Sequence, residues 1–228
     1  MQIGQPDPHY KYPGGPRLFA TATRCRCHDG EVAHSEDPED FIAPAAHRVR
    51  AGTLLLANTD LLEPTFRRSV IYVVEHNDGG TLGVVLNRPS ELDVDEVLSR
   101  WADRAEEPPV MFIGGPVQPN AVICLARSDL AIDGLLSPTA VDGISLVDLD
   151  GDPLDGGPDL TIRCFAGYAG WDAGQLEGEL DEDAWFVVVT ELGDAFTTDP
   201  DHLWRDVLAR QPDELARYAL YPADPSLN

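Results

Sequence analysis

Lysine is almost absent from this sequence: Lys11 is the only one in 228 residues. A Schiff base needs a lysine amine, so this chemistry is excluded from the chain beyond residue 47. Gly-x-x-x-x-Gly-Lys phosphate loops, His-Glu-x-x-His zinc motifs, Gly-x-Ser-x-Gly nucleophile elbows and post-strand Gly-x-Gly-x-x-Gly turns are also missing. We therefore predict no cofactor and no catalytic residue set.

Histidine and cysteine offer little material for a metal site. Of 6 histidines, only His76 and His202 lie beyond residue 47, and they are far apart in the sequence. Cys25, Cys27 and His28 form a Cys-x-Cys-His segment without a second pair of ligands, which is too few for a tetrahedral site. We therefore expect no metal.

The chain has only 4 cysteines, too few for a disulfide framework at this length. Cys124 and Cys164 lie in apolar, strand-like segments, Ala-Val-Ile-Cys-Leu-Ala and Thr-Ile-Arg-Cys-Phe-Ala. Cysteine behaves as a small apolar side chain in such settings. The sequence predicts buried, reduced thiols.

Positive charge is scarce and unevenly placed. The net charge is −24, and between Ser128 and Asp201 there are 18 acidic residues against a single basic one, Arg163. Proteins bind polyanions mainly through Lys and Arg side chains that neutralise phosphates. This charge pattern disfavours direct nucleic-acid binding and anionic membrane surfaces, and favours a solubilising acidic coat.

Residues 1–46 differ in composition from the rest of the chain. They contain 6 prolines and no apolar periodicity, so they cannot bury enough surface to offset the entropy cost of ordering. We predict a disordered extension over 1–46 and a single domain over 47–228. The apolar run Leu18–Ala22 is too short for a signal peptide, and no run of 18 apolar residues exists, so a cytoplasmic location without membrane contact is expected.

Short β-branched and apolar runs predict a sheet, with a hairpin where two runs flank a turn containing Gly79 and Gly80. The predicted strands are Thr53–Ala57, Val70–Glu75, Leu82–Leu86, Val110–Ile113, Ala121–Ala126, an edge strand Ser145–Leu149, Leu160–Ala166 and Trp185–Thr190. The predicted helices are 93–105, 171–179 and 202–210, the last capped by Asp199 or Asp201. Because strict βαβ alternation is absent, the predicted class is α+β with a mixed, mostly antiparallel sheet.

Polar residues at the ends of the hairpin strands are the first candidate contacts. Glu75 and His76 close one strand, Asn87 and Arg88 close the other, and an arginine pair ending at Arg68 precedes the hairpin. Glu75 and His76 suit an acid–base pair, because histidine titrates near neutral pH. The alternative is that these polar residues bond to backbone groups. The arginine pair suits an anion or the chain's own carboxylates.

Two glycine-containing segments follow predicted strands. At Gly115 the segment Gly-Gly-Pro is suited to an anion-binding nest of N–H groups, or to a tight turn required by packing. In Gly-Tyr-Ala-Gly-Trp at 167–171, Tyr168 and Trp171 are candidates to line a pocket. Gln175 and Glu179 share a face of the predicted helix and supply polar contacts if that face meets a cleft; otherwise they form acidic surface.

Several of these segments together resemble the AlgH/YqgE family of bacterial proteins, in the family's order and spacing over roughly residues 48–212. They are Gly-Thr-Leu-Leu-Leu-Ala at 52–57, Phe-Arg-Arg-Ser-Val-Ile-Tyr at 66–72, Glu-His at 75–76, Gly-Val-Val-Leu-Asn-Arg-Pro at 83–89, Gly-Gly-Pro at 114–116, and Gly-Tyr-Ala-Gly-Trp-x-x-x-Gln-Leu-Glu-x-Glu at 167–179. The chain departs from the pattern at Asn58, where many relatives carry Pro. The resemblance implies a sheet curled into a small closed barrel flanked by helices. It implies little about activity, since the family is largely uncharacterised and one branch carries a regulatory label for alginate expression.

Three hypotheses about function follow. The favoured one is a non-enzymatic, cytoplasmic binding or regulatory protein with a protein or small-molecule partner, whose strand-end loops converge on one cleft. Its candidate contacts are Arg68, Glu75, His76, Asn87, Arg88, Gly115, Tyr168, Trp171 and Gln175. The second is a hydrolase or transferase that uses Glu75 or His76 as a base. The third is a transcription regulator that contacts nucleic acid through a basic face of Arg67, Arg68, Arg88, Arg100 and Arg104.

Overall fold

The computed structural model of the protein describes residues 49–221. The predicted extension over 1–46, with Cys25, Cys27 and His28, lies outside the described residues. The strands are β1 (Thr53–Ala57), β2 (Val70–Asn77), β3 (Gly80–Val85), β4 (Pro89–Asp93), β5 (Val110–Ile113), β6 (Val117–Arg127), β7 (Leu136–Pro138), β8 (Ile144–Val147), β9 (Thr161–Asp172) and β10 (Trp185–Val189). The α-helices are α1 (Val94–Leu98), α2 (Gln175–Asp181), α3 (Leu192–Ala195), α4 (Leu203–Ala209) and α5 (Asp213–Ala216). Short 3-10 helices cover Ser99–Arg104, Pro153–Gly156 and Arg217–Leu220.

The strands form one curled, 10-stranded sheet. Its main path runs β10-β1-β2-β3-β9-β6-β8-β7, and β4 and β5 pair beside that path. The strand pairs are antiparallel except for β5 with β9. The predicted α+β class with a mixed, mostly antiparallel, curled sheet is therefore confirmed. Among the described strands the path ends at β10 and β7, so the sheet is a half-barrel and not the closed barrel that the resemblance implies.

The three strands β1 to β3 are covered on both faces. Along β2, Val70 and Tyr72 face one apolar cluster, and Ile71 and Val73 face another, as the two-residue period of a strand requires. Helix α4 covers the first cluster, contributing Trp204, whose indole N–H donates to the carbonyl of Ala57 at 2.9 Å. Helix α2 covers the second through two leucines. This double cover explains why β1 is buried at every position and carries apolar side chains from Leu54 to Ala57.

The predicted hairpin β2–β3 is confirmed. The predicted end of strand β9 is wrong. Strand β9 does not end at Ala166; it continues through Trp171 to Asp172, because its second half pairs with β3. Helix α2 begins at Gln175, after Gly174 has turned the chain with a φ of 77°. Trp171 is therefore a strand residue and not the start of a helix.

The prediction of two reduced thiols is wrong. Cys124 on β6 lies directly opposite Cys164 on β9, and the two are joined by a disulfide. Both are buried, as predicted, in the apolar cluster between these strands. The pairing depends on the register of strands that are 40 residues apart in sequence, so each apolar context alone did not reveal it.

Smaller corrections concern element boundaries. Strand β8, predicted as an edge strand, has a neighbour on each side, and β7 is the edge. The residue that caps α4 is His202, not Asp199 or Asp201. The helix predicted over 93–105 divides into α1 and a 3-10 turn. Within residues 49–221, none of the helices has both the length and the apolar character needed to cross a bilayer.

Candidate functional site

The turn before β2 is held by the side chain of Asn87. Its Oδ1 accepts a hydrogen bond from the Val70 N–H at 2.9 Å, and its Nδ2 donates to the carbonyl of Arg68 at 2.8 Å. Asn87 is buried, so the expected alternative role, bonding of backbone at a strand end, is what its geometry provides. It thereby fixes the backbone that carries Arg67 and Arg68.

Arg68 has a left-handed backbone with a φ of 55°, which is uncommon for a residue with a side chain. Its guanidinium carbon lies 4.6 Å from the centre of the Trp204 ring, and Nη2 donates to the carbonyl of Tyr221 at 2.7 Å. Burial lowers the pKa of Arg68, and the positive charges of Arg205 and Arg67 lower it further. The guanidinium is therefore held in place beside other cations.

Arg88 connects the turn before β2 to the link after β3. Its Nη2 donates to the carbonyl of Arg67, and its Nη1 donates to the carbonyl of Asn87 at 3.1 Å. Burial lowers the pKa of Arg88, while the negative charge of Asp201 opposes the shift. Arg88 is a half-buried cation whose position is set by backbone carbonyls.

These side chains surround a hollow of about 430 Å³, called here the arginine pocket. Its walls come from the turn before β2, the link after β3 and the first turn of α4. The lining residues are Arg67, Arg68, Asn87, Arg88, Asp201, His202, Trp204 and Arg205. The described lining residues thus include four arginines and one aspartate, in a chain whose net charge is −24. Local charge is opposite in sign to that of the whole molecule, which favours an anion at this place.

His202 adds a titratable group to the rim of the arginine pocket. Its Nδ1 lies 2.9 Å from both carboxylate oxygens of Asp199. The hydrogen bond with Asp199 and the charge of that carboxylate raise the pKa of His202. When protonated, His202 therefore forms an ion pair with Asp199 at the rim of the arginine pocket.

A second group of candidate residues lies at the other end of the hairpin, about 23 Å away along β2 at 3.3 Å per residue. His76 Nδ1 is 2.8 Å from Thr81 Oγ1, and its Nε2 is 3.9 Å from Glu177 Oε1. Glu75 projects from the opposite face of the strand, where with Tyr168 it lines a shallow hollow of about 380 Å³. The two candidates for an acid–base pair therefore face away from each other.

Trp171 and Gln175 belong to a hydrogen-bonded network centred on Glu179. The indole N–H groups of Trp171 and Trp185 donate to Glu179 Oε2 at 2.9 and 2.8 Å, and Gln175 Nε2 donates to Glu179 Oε1 at 3.0 Å. Trp171 is only 6% exposed and its ring stacks on Phe66. The network anchors α2 on β9 and β10.

Gly115 serves packing between strands. An added Cβ would lie 2.2 Å from the carbonyl carbon of Tyr168 and 2.3 Å from the nitrogen of Ala169. The neighbouring Gly114 is equally close, with the carbonyl oxygen of Gly167 at 2.3 Å. The glycines thus let the link between β5 and β6 lie against the backbone of β9, as the packing alternative to a nest requires.

The structure does not bring the candidate contacts into one cleft. Arg68, Asn87 and Arg88 meet in the arginine pocket, whereas Glu75, His76, Trp171 and Gln175 lie at the far end of the hairpin. Sequence reasoning missed the contributions of Asp201, His202, Trp204 and Arg205 to the arginine pocket. The apolar spacing in this helix predicts that Leu203 and Trp204 face inward, but it does not predict which part of the sheet they meet.

The basic face expected of a nucleic-acid-binding protein is divided as well. Arg100 and Arg104 lie on the 3-10 helix after α1 and do not line the arginine pocket. Their guanidinium groups donate to the carbonyls of Gly151 at 3.3 Å and Pro158 at 2.8 Å. Only Arg67, Arg68 and Arg88 of that set come together. In residues 49–221 there is no group of His, Cys, Asp and Glu side chains that could hold a metal ion.

Comparison with known proteins gives the family. A protein of the UPF0301 group from Mycolicibacterium vanbaalenii is 56% identical over 205 residues, covering 86% of this chain and 100% of that protein. A crystal structure from Corynebacterium diphtheriae matches with a TM-score of 0.71 at 30% identity, over 76% of this chain and 93% of that one. The solution structure of the AlgH protein from Pseudomonas aeruginosa matches with a TM-score of 0.55 at 29% identity, over 75% of this chain and 94% of that one. The AlgH-like family model matches residues 54–216, and the chain therefore belongs to the AlgH-like family.

Proposed function

We propose that this protein is a non-enzymatic, cytoplasmic binding protein with a regulatory role, and that it recognises an anionic group of its partner or ligand in the arginine pocket. The observation that carries the proposal is the meeting of four guanidinium groups around a hollow of about 430 Å³ in a strongly acidic chain. Guanidinium groups are the side chains best suited to bind oxyanions through paired N–H donors.

The close approach of like charges in the arginine pocket supports a binding role over a purely structural one. Arg68 lies beside Arg205 and Arg67, and like charges at close range raise the free energy of the folded state unless an anion offsets them. Asp201 supplies one negative charge against these cations. An anion bound in the arginine pocket would reduce the repulsion between these cations further.

Direct binding to a nucleic-acid backbone is less well supported. The arginine pocket is a local feature, and between Ser128 and Asp201 the chain carries 18 acidic residues. A polynucleotide brings many phosphates at once, so most of them would meet negative surface. A regulatory effect on gene expression, if the chain has one, is therefore proposed to pass through a partner or a small molecule.

The alternative of a hydrolase or transferase has one observation in its favour, the contact of His76 with Thr81 at 2.8 Å and with Glu177 at 3.9 Å. A general base must also face a site that admits substrate. The hollow at this end of the sheet is lined by Glu75, Thr81 and Trp171 among others, but His76 is not among its lining residues. The binding hypothesis is therefore preferred.

The test combines native mass spectrometry of freshly purified protein with thermal unfolding in citrate, sulfate and phosphate. Anions are expected to raise the Tm above that in chloride of equal ionic strength, because a ligand that binds only the folded state stabilises it. Arg205→Gln should abolish the rise, and Arg100→Gln, the same change at an exposed arginine outside the arginine pocket, should preserve it. A co-purified molecule should be recovered chemically unchanged after incubation. Its conversion, or a Tm rise that survives Arg205→Gln, would contradict the proposal.

A further inference from the structure

The shallow hollow at the far end of the hairpin, called here the hairpin hollow, lies over three neighbouring strands, β2, β3 and β9. Residues that pair across strands share a face of the sheet, so the register gives two rows of residues on this face. One row is Glu75, Leu82 and Gly170, and the next is Asn77, Gly80 and Asp172. All of them line the hairpin hollow, so its chemistry is set by two short rows across the sheet.

The charge of the hairpin hollow is negative and stands at its two sides. Glu75 lies on β2 and Asp172 on β9, with β3 between them, so their backbones are two strand spacings, about 10 Å, apart across the sheet. Both residues are exposed, and within residues 49–221 neither forms an ion pair. Carboxylates on strands this far apart meet two separate cationic groups more readily than they share one.

The surface between the two carboxylates is uncharged and low. Gly80 and Gly170 have no side chains there, and an added Cβ at Gly80 would lie 2.3 Å from the carbonyl oxygen of Trp171. The half-buried side chain of Leu82 lies between Glu75 and Gly170 in the first row. A carbon chain can therefore lie over the glycines and against this leucine.

Tyr168 and Glu75 are the side chains best placed to select the ligand. The Tyr168 ring stands beside Gly170, with Cε2 3.3 Å from the position of an added Cβ, and an aromatic ring attracts an ammonium group placed over its face. Asn77 Nδ2 donates to Glu75 Oε1 at 2.6 Å, and Asn77 Oδ1 accepts from the Gly79 N–H at 2.7 Å. A carboxylate has about four acceptor positions, so this contact orients Glu75 and leaves others for a ligand.

We infer that the hairpin hollow binds an aliphatic polyamine, whose ammonium groups meet Glu75 and Asp172 and whose carbon chain crosses the glycines beside Tyr168. Its volume of about 380 Å³ lies within the range of about 300–1,000 Å³ found for small organic ligands. The net charge of −24 raises the concentration of polycations near the surface, and the local contacts decide where they bind. The inference concerns a different place from the arginine pocket and does not rest on the proposed function.

NMR chemical-shift titration of the isotope-labelled full chain at low ionic strength tests the inference. The probes are spermidine, butylamine as a single ammonium group on a carbon chain, and Mg²⁺ as an inorganic cation. The backbone amides of Gly79, Gly80 and Gly170 report on the hairpin hollow, which separates binding there from weak association elsewhere on the acidic surface. We expect spermidine to saturate these amides about fivefold more tightly than butylamine, since a second exposed ion pair contributes a factor of up to about five. Mg²⁺ should bind there more weakly than spermidine.

Two matched variants decide whether the carboxylates are responsible. Glu75→Gln should weaken spermidine binding about fivefold without changing the Tm, because the side chain is exposed, and Asp172→Asn should act similarly. Glu96→Gln, the same loss of charge at an exposed position on α1, should leave the affinity nearly unchanged, and so should Tyr168→Phe, which keeps the ring.

Three results would overturn the inference. They are butylamine or Mg²⁺ binding as tightly as spermidine, equal effects of Glu75→Gln and Glu96→Gln, and shifts that do not saturate at the glycine amides. Each of them leaves the proposed function intact, because the arginine pocket lies at the other end of the hairpin.

Discussion

The side chain of Asn87 holds Arg68 by its backbone: Asn87 Nδ2 donates to the Arg68 carbonyl oxygen at 2.8 Å, and Arg68 has a φ of 55°. The same amide accepts from the Val70 N–H at 2.9 Å. Asn87 therefore connects the link after β3 to the start of β2 and orients the two arginines that precede that strand. It acts on the arginine pocket as a positioning residue.

Asn87→Ala is expected to destabilise the protein by about 3 kcal/mol, because it leaves the Val70 N–H and the Arg68 carbonyl without partners in a buried place. Urea unfolding measures the change in the free energy of unfolding. Asn120→Ala, at an exposed asparagine, is the matched control and should change it by less than about 0.5 kcal/mol. Equal losses in the two variants would mean that the amide of Asn87 is not bridging these groups.

Gly115→Ala is expected to cost about 3 kcal/mol or more, because the new Cβ would lie 2.2 Å from the backbone of Tyr168 and Gly115 has a φ of 154°. Neither the backbone of β9 nor that of the link can move without loss of strand pairing. Gly178→Ala is the control: it lies in α2 with nothing within 4 Å of the added methyl group. Since alanine favours helix over glycine, this variant should be neutral or up to about 1 kcal/mol more stable. Thermal and urea unfolding of both variants distinguish a packing glycine from a replaceable one.

Glu179→Ala is expected to lower the free energy of unfolding by about 2 kcal/mol or more, because it removes the common acceptor of the Trp171 and Trp185 indole N–H groups. Both rings are buried, so water cannot fully replace the carboxylate. The change in tryptophan fluorescence during urea unfolding reports the loss. Glu177→Ala, two positions earlier on the same helix, should have little effect, and a loss as large as that of Glu179→Ala would contradict the role given to the network.

The sequence predicts where most of the strands lie, but it does not predict which segments they pair with. The apolar and β-branched runs that form β1, β2 and β10 predict these strands to within a few residues, because the composition of a run is a local property. The glycines at 167 and 170 predict a turn, which places Trp171 at the start of a helix. In the fold this segment continues β9 and pairs with β3, a contact between segments that lie far apart in the sequence.

The residues of the arginine pocket show the same limit, because contacts between distant segments cannot be predicted from a local pattern. Arg68 and Asn87 are candidates because they stand next to predicted strand ends, and the structure brings them together. Trp204 and Arg205 reach the arginine pocket only because α4 packs over β1 and β2, which no periodicity within α4 reveals. That the remaining candidates at the other end of the hairpin bind a ligand stays a prediction.

Asp199→Asn is expected to lower the pKa of His202 toward its ordinary value of about 6.5. The pKa is raised because His202 Nδ1 shares a hydrogen bond with the Asp199 carboxylate, which stabilises the protonated ring. A raised pKa in the folded state means that the stabilisation is fully present below the pKa of the unfolded chain and is lost as the pH rises through the folded-state pKa.

Because both side chains are exposed, the effect on stability is small, and the imidazole titration followed by NMR is the sharper measurement. Asp206→Asn is the control, since the charge of Asp206 raises the pKa of His202 less than the contact with Asp199 does. It should therefore move the titration midpoint by a smaller amount in the same direction. A midpoint that moves equally in the two variants would mean that distant charge, and not the hydrogen bond, sets the protonation of the group at the rim of the arginine pocket.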